Sequence, residues 1–230
     1  MQFVKTLLVT SLVLVSSLAV RADSSAQKWL ENYYQNPQPS KVVSNVYALS
    51  DEGYFTTAGQ PAIAIGFFAK VFAQNPAKVD QWFAEFRDLP ISDRRLMAAA
   101  LWQSGNEKAA KYVREVSVDS SVRREINQLT STPAPALSET PVQSPSSMNL
   151  QWGAFLASGD QQHISNILTA LGRGERNLNE AARYALAEHA AAHPRVLSIV
   201  RNELGRQPAE VRTLLQAAIQ DAEGRGQPRI

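Results

Sequence analysis

Apolar positions along this chain recur three and four residues apart, the spacing of one helix face, and almost nowhere alternate as a half-buried strand would. Trp29, Leu30, Tyr33 and Tyr34 follow a polar start at 23–25, and Val42, Val43, Val46, Tyr47 and Leu49 follow Pro39-Ser40, a helix entrance. Residues 62–73 are apolar almost all round, interrupted only by Lys70, which predicts a helix buried on most of its circumference. That run is too short to cross a bilayer.

The boundaries are chemical. Pro76, Pro194 and Pro208 each stand where a new helix would begin, a place where the missing N–H matters little. Ser104-Gly105-Asn106 and Ser158-Gly159-Asp160 read as glycine ending one helix and Asn or Asp opening the next. The predicted fold is therefore all-α, about ten to twelve short helices in antiparallel hairpins, as an α-solenoid or an irregular bundle.

One stretch breaks this rhythm. Residues 131–147 hold four prolines and seven Ser/Thr with one charge and no aromatic ring. Such a composition predicts an extended linker, or alternatively a glycosylated stalk. It divides the chain into an N-terminal helical block, 23–130, and a C-terminal one, 148–224, with a frayed tail at 225–230. The blocks echo each other: ALWQSGNEKAAKYV (100–113) aligns with AFLASGDQQHISNI (154–167), turn on turn. Repeated hairpins of this kind suggest stacking units, since one hairpin cannot bury its apolar face alone.

Within those hairpins, SDRRLMAAALWQSGNEKAAKYV (92–113) resembles a HEAT-type repeat, with an acid, an arginine, an alanine run, Ala-Leu and a glycine before the second helix. NEAARYALAEHAAAHPRVLSIV (179–200) is similar, with Glu180, Arg183, Ala185-Leu186 and a second helix opened by proline. The resemblance covers under a fifth of the chain, and it implies a protein-binding scaffold without catalysis.

The first residues belong to a different pattern. Lys5 precedes the apolar run LLVTSLVLV (7–15), and Val20 and Ala22 occupy the small-residue positions of a cleavage site between Ala22 and Asp23. Only 15 residues separate Lys5 from Arg21, short of a membrane span. Residues 1–22 are therefore expected to be a secretory signal, and the mature chain periplasmic or secreted with no stable membrane span. The absence of cysteine suits that destination and excludes disulfides, thiol nucleophiles and Cys-ligated metals. Lys5 and Arg21 are the leader's only charges, so its removal leaves 23 − 2 = 21 basic against 21 acidic residues. That balance gives no nucleic-acid footprint. After Lys111 every cation is arginine: nine Arg face eight acids from residue 150 on, the mixture of a salt-bridged helical surface.

Chemistry-bearing motifs are scarce. Phosphate loops, nucleophile elbows and His-Glu-x-x-His are absent. His189 and His193, four apart on one predicted helix face, are the weak metal candidates, and His163 is the remaining histidine. His193, at a helix end before Pro194, also suits a charged partner of the helix dipole. Asp51-Glu52, Asp88 and Asp93 flank turns or helix starts, where acids serve as caps. Phe67, Phe68, Phe72, Trp82, Phe83 and Phe86 read first as core and second as the lining of an apolar groove.

The expectation is an exported, non-enzymatic interaction module that binds a protein or peptide, with no catalytic residue and no cofactor; homo-oligomerisation is left open. A binder of a small apolar ligand or lipid through the aromatic region 61–86 is the second reading. A metal-dependent protein using His189 and His193 is the third.

Overall fold

The structure, a computed structural model, describes residues 23–117, 134–172 and 176–225. The expected leader and the end of the tail lie outside these residues. Eleven α-helices and several short 3-10 turns make up the described chain, and no strand occurs among these residues. In chain order the helices are α1 (Ser25–Asn32), α2 (Val42–Asp51), α3 (Gln60–Gln74), α4 (Val79–Glu85), α5 (Ile91–Gln103), α6 (Ala109–Glu115), α7 (Pro145–Ser158), α8 (Gln161–Leu168), α9 (Arg176–Ala192), α10 (Pro194–Leu204) and α11 (Ala209–Arg225). No helix among the described residues is long and apolar enough to cross a membrane.

The turn chemistry acts as its residues suggest. Gly105 and Gly159 take left-handed conformations (φ 72° and 64°) that end α5 and α7. Asp160 then caps α8 by accepting the Gln162 N–H. Pro194 opens α10 directly, and Pro76 opens a 3-10 turn that leads into α4. Helix α7 has the strongest start: the Ser144 side chain accepts the Ser147 N–H while Ser147 Oγ accepts the Ser144 N–H. Ser144→Ala is expected to lower stability by about 1 kcal/mol, read as a shift in the urea midpoint with unchanged slope.

Two helices hold the fold together. Helices α3 and α7 cross so closely that a Cβ on Gly66 would fall on the Leu150 carbonyl oxygen, 3.1 Å from the Ala154 nitrogen. A Cβ on Gly153 would fall on the Ile63 carbonyl oxygen, 2.7 Å from the Phe67 nitrogen. Backbone lies on backbone at this crossing, which only glycine permits. Helix α5 packs on another side of α3, α1 and α8 pack on α7, and α9, α10 and α11 form a mutually packed group joined to α7 and α8.

The helices on either side of the proline-rich segment pack against each other. One hydrophobic cluster runs from Ala26 and Leu30 in α1 through Phe67 and Phe72 in α3 and Trp152 and Phe155 in α7 to Leu186 and Leu215 in α9 and α11. The segments on either side of 131–147 therefore share a core. Proline-rich composition forecast an extended backbone but carried no information on what that backbone lies against. Residues 144–147 are the start of α7, and Leu137 and Val142 are buried.

Candidate functional site

The segment 134–142 forms a strap across the helices, held largely by side-chain amides. Gln151 of α7 donates through Nε2 to the carbonyl oxygens of Leu137 and Thr140, both at 2.8 Å. Asn166 of α8 donates to the Ser138 carbonyl at 2.8 Å, and Gln103 at the end of α5 donates to the Pro135 carbonyl at 3.0 Å. Leu137 is the apolar anchor, seated on Ala69 of α3 and Ala154 of α7 with Leu150 beside them. These contacts hold the strap by its backbone carbonyls and by two buried aliphatic side chains, Leu137 in a 3-10 turn (Leu137–Glu139) and Val142 in the main core.

Alongside the strap runs an open recess of about 230 Å³, lined by Ala69, Lys70, Ala73, Gln103, Ser104 and Gly105 on the helical side and by 134–138 on the other. Its floor is alanine, its rim carries the Gln103 amide, and its one charge is the half-buried Lys70. Lys70 is also the only charged residue of α3, and no carboxylate lies within ion-pair distance of it among the described residues.

Beneath the strap sits His163 of α8, fully buried, with Nδ1 2.7 Å from Gln151 Oε1. Because Gln151 Nε2 is engaged with two carbonyls, its Oε1 must accept, so the network assigns the proton to His163 Nδ1 and leaves Nε2 bare. Nε2 has no protein partner among the described residues. Burial, together with the positive charge of Lys70, pushes the His163 pKa down to about 4, with Asp160 opposing the shift. The ring is thus neutral at physiological pH.

The other two histidines lie on α9 and just after its end. His189 of α9 stacks on Trp152, ring centroids 3.9 Å apart, and His193 stacks on His189 at 6.0 Å. Burial and then the neighbouring His193 lower the His189 pKa to about 3, and burial lowers that of His193. His193 follows the last turn of α9, as its position before Pro194 suggested, but it is buried against Tyr34 and stays neutral, which corrects its reading as a charged dipole partner. Among the described residues no three His, Asp or Glu side chains gather to hold a metal. The pair is brought together as a stacked aromatic column.

The aromatic set is core. Phe67, Phe68, Phe72, Trp82 and Phe86 are all buried, and Phe83 is partly buried against Tyr112 at a ring separation of 4.3 Å. Adjacent rings pack in a continuous chain from Phe67 through Phe68, Phe72 and Phe83 to Phe86, edge to face or tilted except for the stacked Phe68–Phe72 pair. The recess beside Phe83 and Phe86 holds about 20 Å³, room for roughly one water molecule. Among the described residues these rings pack into the core cluster. Asp93 sits in the first turn of α5, as expected of an acid at a helix start; it is also buried and accepts hydroxyl hydrogen bonds from Ser50 (2.5 Å) and Ser92 (2.8 Å).

Sequence reasoning missed Gln103, Gln151, Asn166 and Lys70. A signal existed for Gln151, since a buried amide in an uncharged helix must find partners for both ends. The arrangement can bind backbone carbonyls and a carboxylate; it presents no nucleophile and base within reach of each other. No family model matches the chain, and no curated protein or solved structure matches it either.

Proposed function

We propose that this protein is an exported peptide-binding module, and that the recess between α3 and the strap receives an extended segment of a partner protein carrying a carboxylate. The observation that carries this reading is Lys70: a half-buried cation with no ion-pair partner among the described residues, set in an alanine-floored recess beside the Gln103 amide. A carboxylate placed there gains a charge-assisted hydrogen bond in partly desolvated surroundings. The small alanine side chains leave room for a polypeptide backbone. Export rests on the leader pattern of residues 1–22. The hairpin architecture and the HEAT-type resemblance point to the same class of function by analogy.

The test is selection of displayed ten-residue peptides on the immobilised mature chain, beginning at Asp23, and on its Lys70→Glu variant. Acidic peptides should be enriched on the parent, and the selected peptides should bind the variant at least tenfold more weakly in fluorescence polarisation. Enrichment of peptides that bind both proteins equally, or no enrichment at all, would overturn the assignment of the recess.

A further inference from the structure

We infer that the strap 134–142 is an internal occupant of the same groove and that protonation of His163 releases it. This inference deepens the reading of the recess as a peptide site, because the strap already uses the contacts a bound polypeptide would need. Its carbonyls at Pro135, Leu137, Ser138 and Thr140 take the amides of Gln103, Gln151 and Asn166. Its Leu137 fills the notch between Ala69 and Ala154, beside the α3–α7 crossing. When the strap leaves, the narrow recess becomes a groove with three free amides and two apolar seats, those of Leu137 and Val142.

A chain of hydrogen bonds links the ring to the strap, and the trigger is the unpartnered N–H that protonation adds at Nε2. Asn166 stands one turn beyond His163 on α8, and its amide also lies 3.4 Å from Gln151 Oε1. A single glutamine thus joins the histidine to the strap: Oε1 accepts from His163, and Nε2 donates to two strap carbonyls. A second proton on His163 creates an N–H at Nε2, which has no acceptor among the described protein groups. A buried charged donor without a partner is costly, and exposure to water relieves it.

The charges around the ring do little to soften this. Lys70 faces it from α3 and opposes protonation, Asp160 at the start of α8 favours it, and α7 carries no charged residue. From α10, Arg195 is bound to the Gly159 carbonyl and Glu203 to Gln161 and Arg206. Glu139 on the strap itself is exposed.

A histidine that titrates near 4 when covered and near 6.5 when open raises the strap's opening constant about 30-fold between pH 7.5 and pH 5. Hydrogen exchange read by mass spectrometry on the mature chain, without any ligand and corrected for the intrinsic rate at each pH, measures this directly. Peptides covering 134–143 should lose protection by about that factor and exchange faster than those covering Gly66 to Phe72 at both pH values, because the latter open only with global unfolding. In His163→Asn, which retains a donor toward Gln151 but does not titrate, strap protection should be the same at both pH values. Gln151→Ala should open the strap at pH 7.5 already.

An independent readout is the ring proton signal of His163 by NMR, whose midpoint should coincide with the midpoint of strap exposure. The inference is overturned if the strap exchanges only as slowly as the α3 core at both pH values, if its exchange does not respond to pH, or if strap exposure follows His189 instead. Because no peptide is present, failure here leaves the binding reading standing. Failure of the peptide selection likewise leaves the strap's release intact.

Discussion

Gly153→Ala should all but unfold this protein. The added methyl would overlap the Ile63 carbonyl and press on the Phe67 nitrogen, and both are backbone atoms of a helix that cannot rotate out of the way. Relief requires α7 to move off α3 along the whole crossing, loosening Phe67 and Phe155 together with the Leu137 notch. A loss above about 4 kcal/mol is expected, beyond the roughly 1–3 kcal/mol usual for overpacking because the clash is with backbone, against a total stability of about 5–15 kcal/mol for a domain. Urea unfolding followed by helical circular dichroism should show the midpoint collapse, and Gly66→Ala should behave alike. Gly224→Ala in α11 is the control. A Cβ there meets nothing within 4 Å, and alanine is the better helix former by about 1 kcal/mol. Equal midpoints for Gly153→Ala and the parent would mean that the two helices are not in backbone contact.

The second large effect is acid lability of the helical core. His189 stacks on Trp152 and is neutral in the fold, with a pKa pushed down to about 3 first by burial and then by His193. His193 is shifted the same way by burial. In the unfolded chain both titrate near 6.5, so on acidification the unfolded state takes up protons first. The stability these neutral rings provide is present in full above about pH 7 and is lost progressively from about 6.5 toward the folded values. At pH 5 His189 alone accounts for a loss of about 2 kcal/mol, with a further part from His193. The urea midpoint at pH 5.0 should therefore lie well below that at pH 7.5. His189→Phe, which keeps a ring against Trp152 and removes the titration, should recover about 2 kcal/mol of the difference between the two pH values, leaving the parts due to His193 and the buried His163. A midpoint unchanged between pH 7.5 and 5.0 in the parent would show these rings to be solvated. Ordinary carboxylates cannot mimic the effect, since their losses begin only near their own pKa values around 4.

What was readable from the sequence depended on how local the governing physics is. Gly105, Gly159, Asp160 and Pro194 act within a few residues of themselves, so their turns and caps were predictable and are found. The apolar run at 62–73 called for a buried helix, and α3 is one. The histidine pair at 189 and 193 was visible as a spacing, but a spacing on one helix does not say what faces it; Trp152 does, from a different helix. The aromatic residues of 67–86 were legible as bulk, and whether bulk fills a core or lines a groove depends on the neighbours brought to it. Here they come from Trp29 and Tyr33 in one direction and Tyr112 in the other.

The strap shows the limit most plainly. Four prolines and seven hydroxyl residues in 131–147 predicted an extended chain, and extension is a property of local torsions. Its anchorage is not local: Gln103 lies 32 residues from Pro135, Gln151 lies 14 from Leu137, and Asn166 lies 28 from Ser138. By itself the sequence determined an all-α chain, its helix ends and turns, its lack of cysteine chemistry and its nearly neutral charge after an expected leader. Each of these follows from composition or from interactions spanning a single helical turn. Only the tertiary structure decided that the chain shares one core across the proline-rich segment, that Gly66 and Gly153 let two backbones touch, and that His163, Gln151 and the strap form one hydrogen-bonded relay. Those outcomes depend on which surfaces meet, and meeting surfaces are set by packing and by pairing buried polar groups across the whole chain.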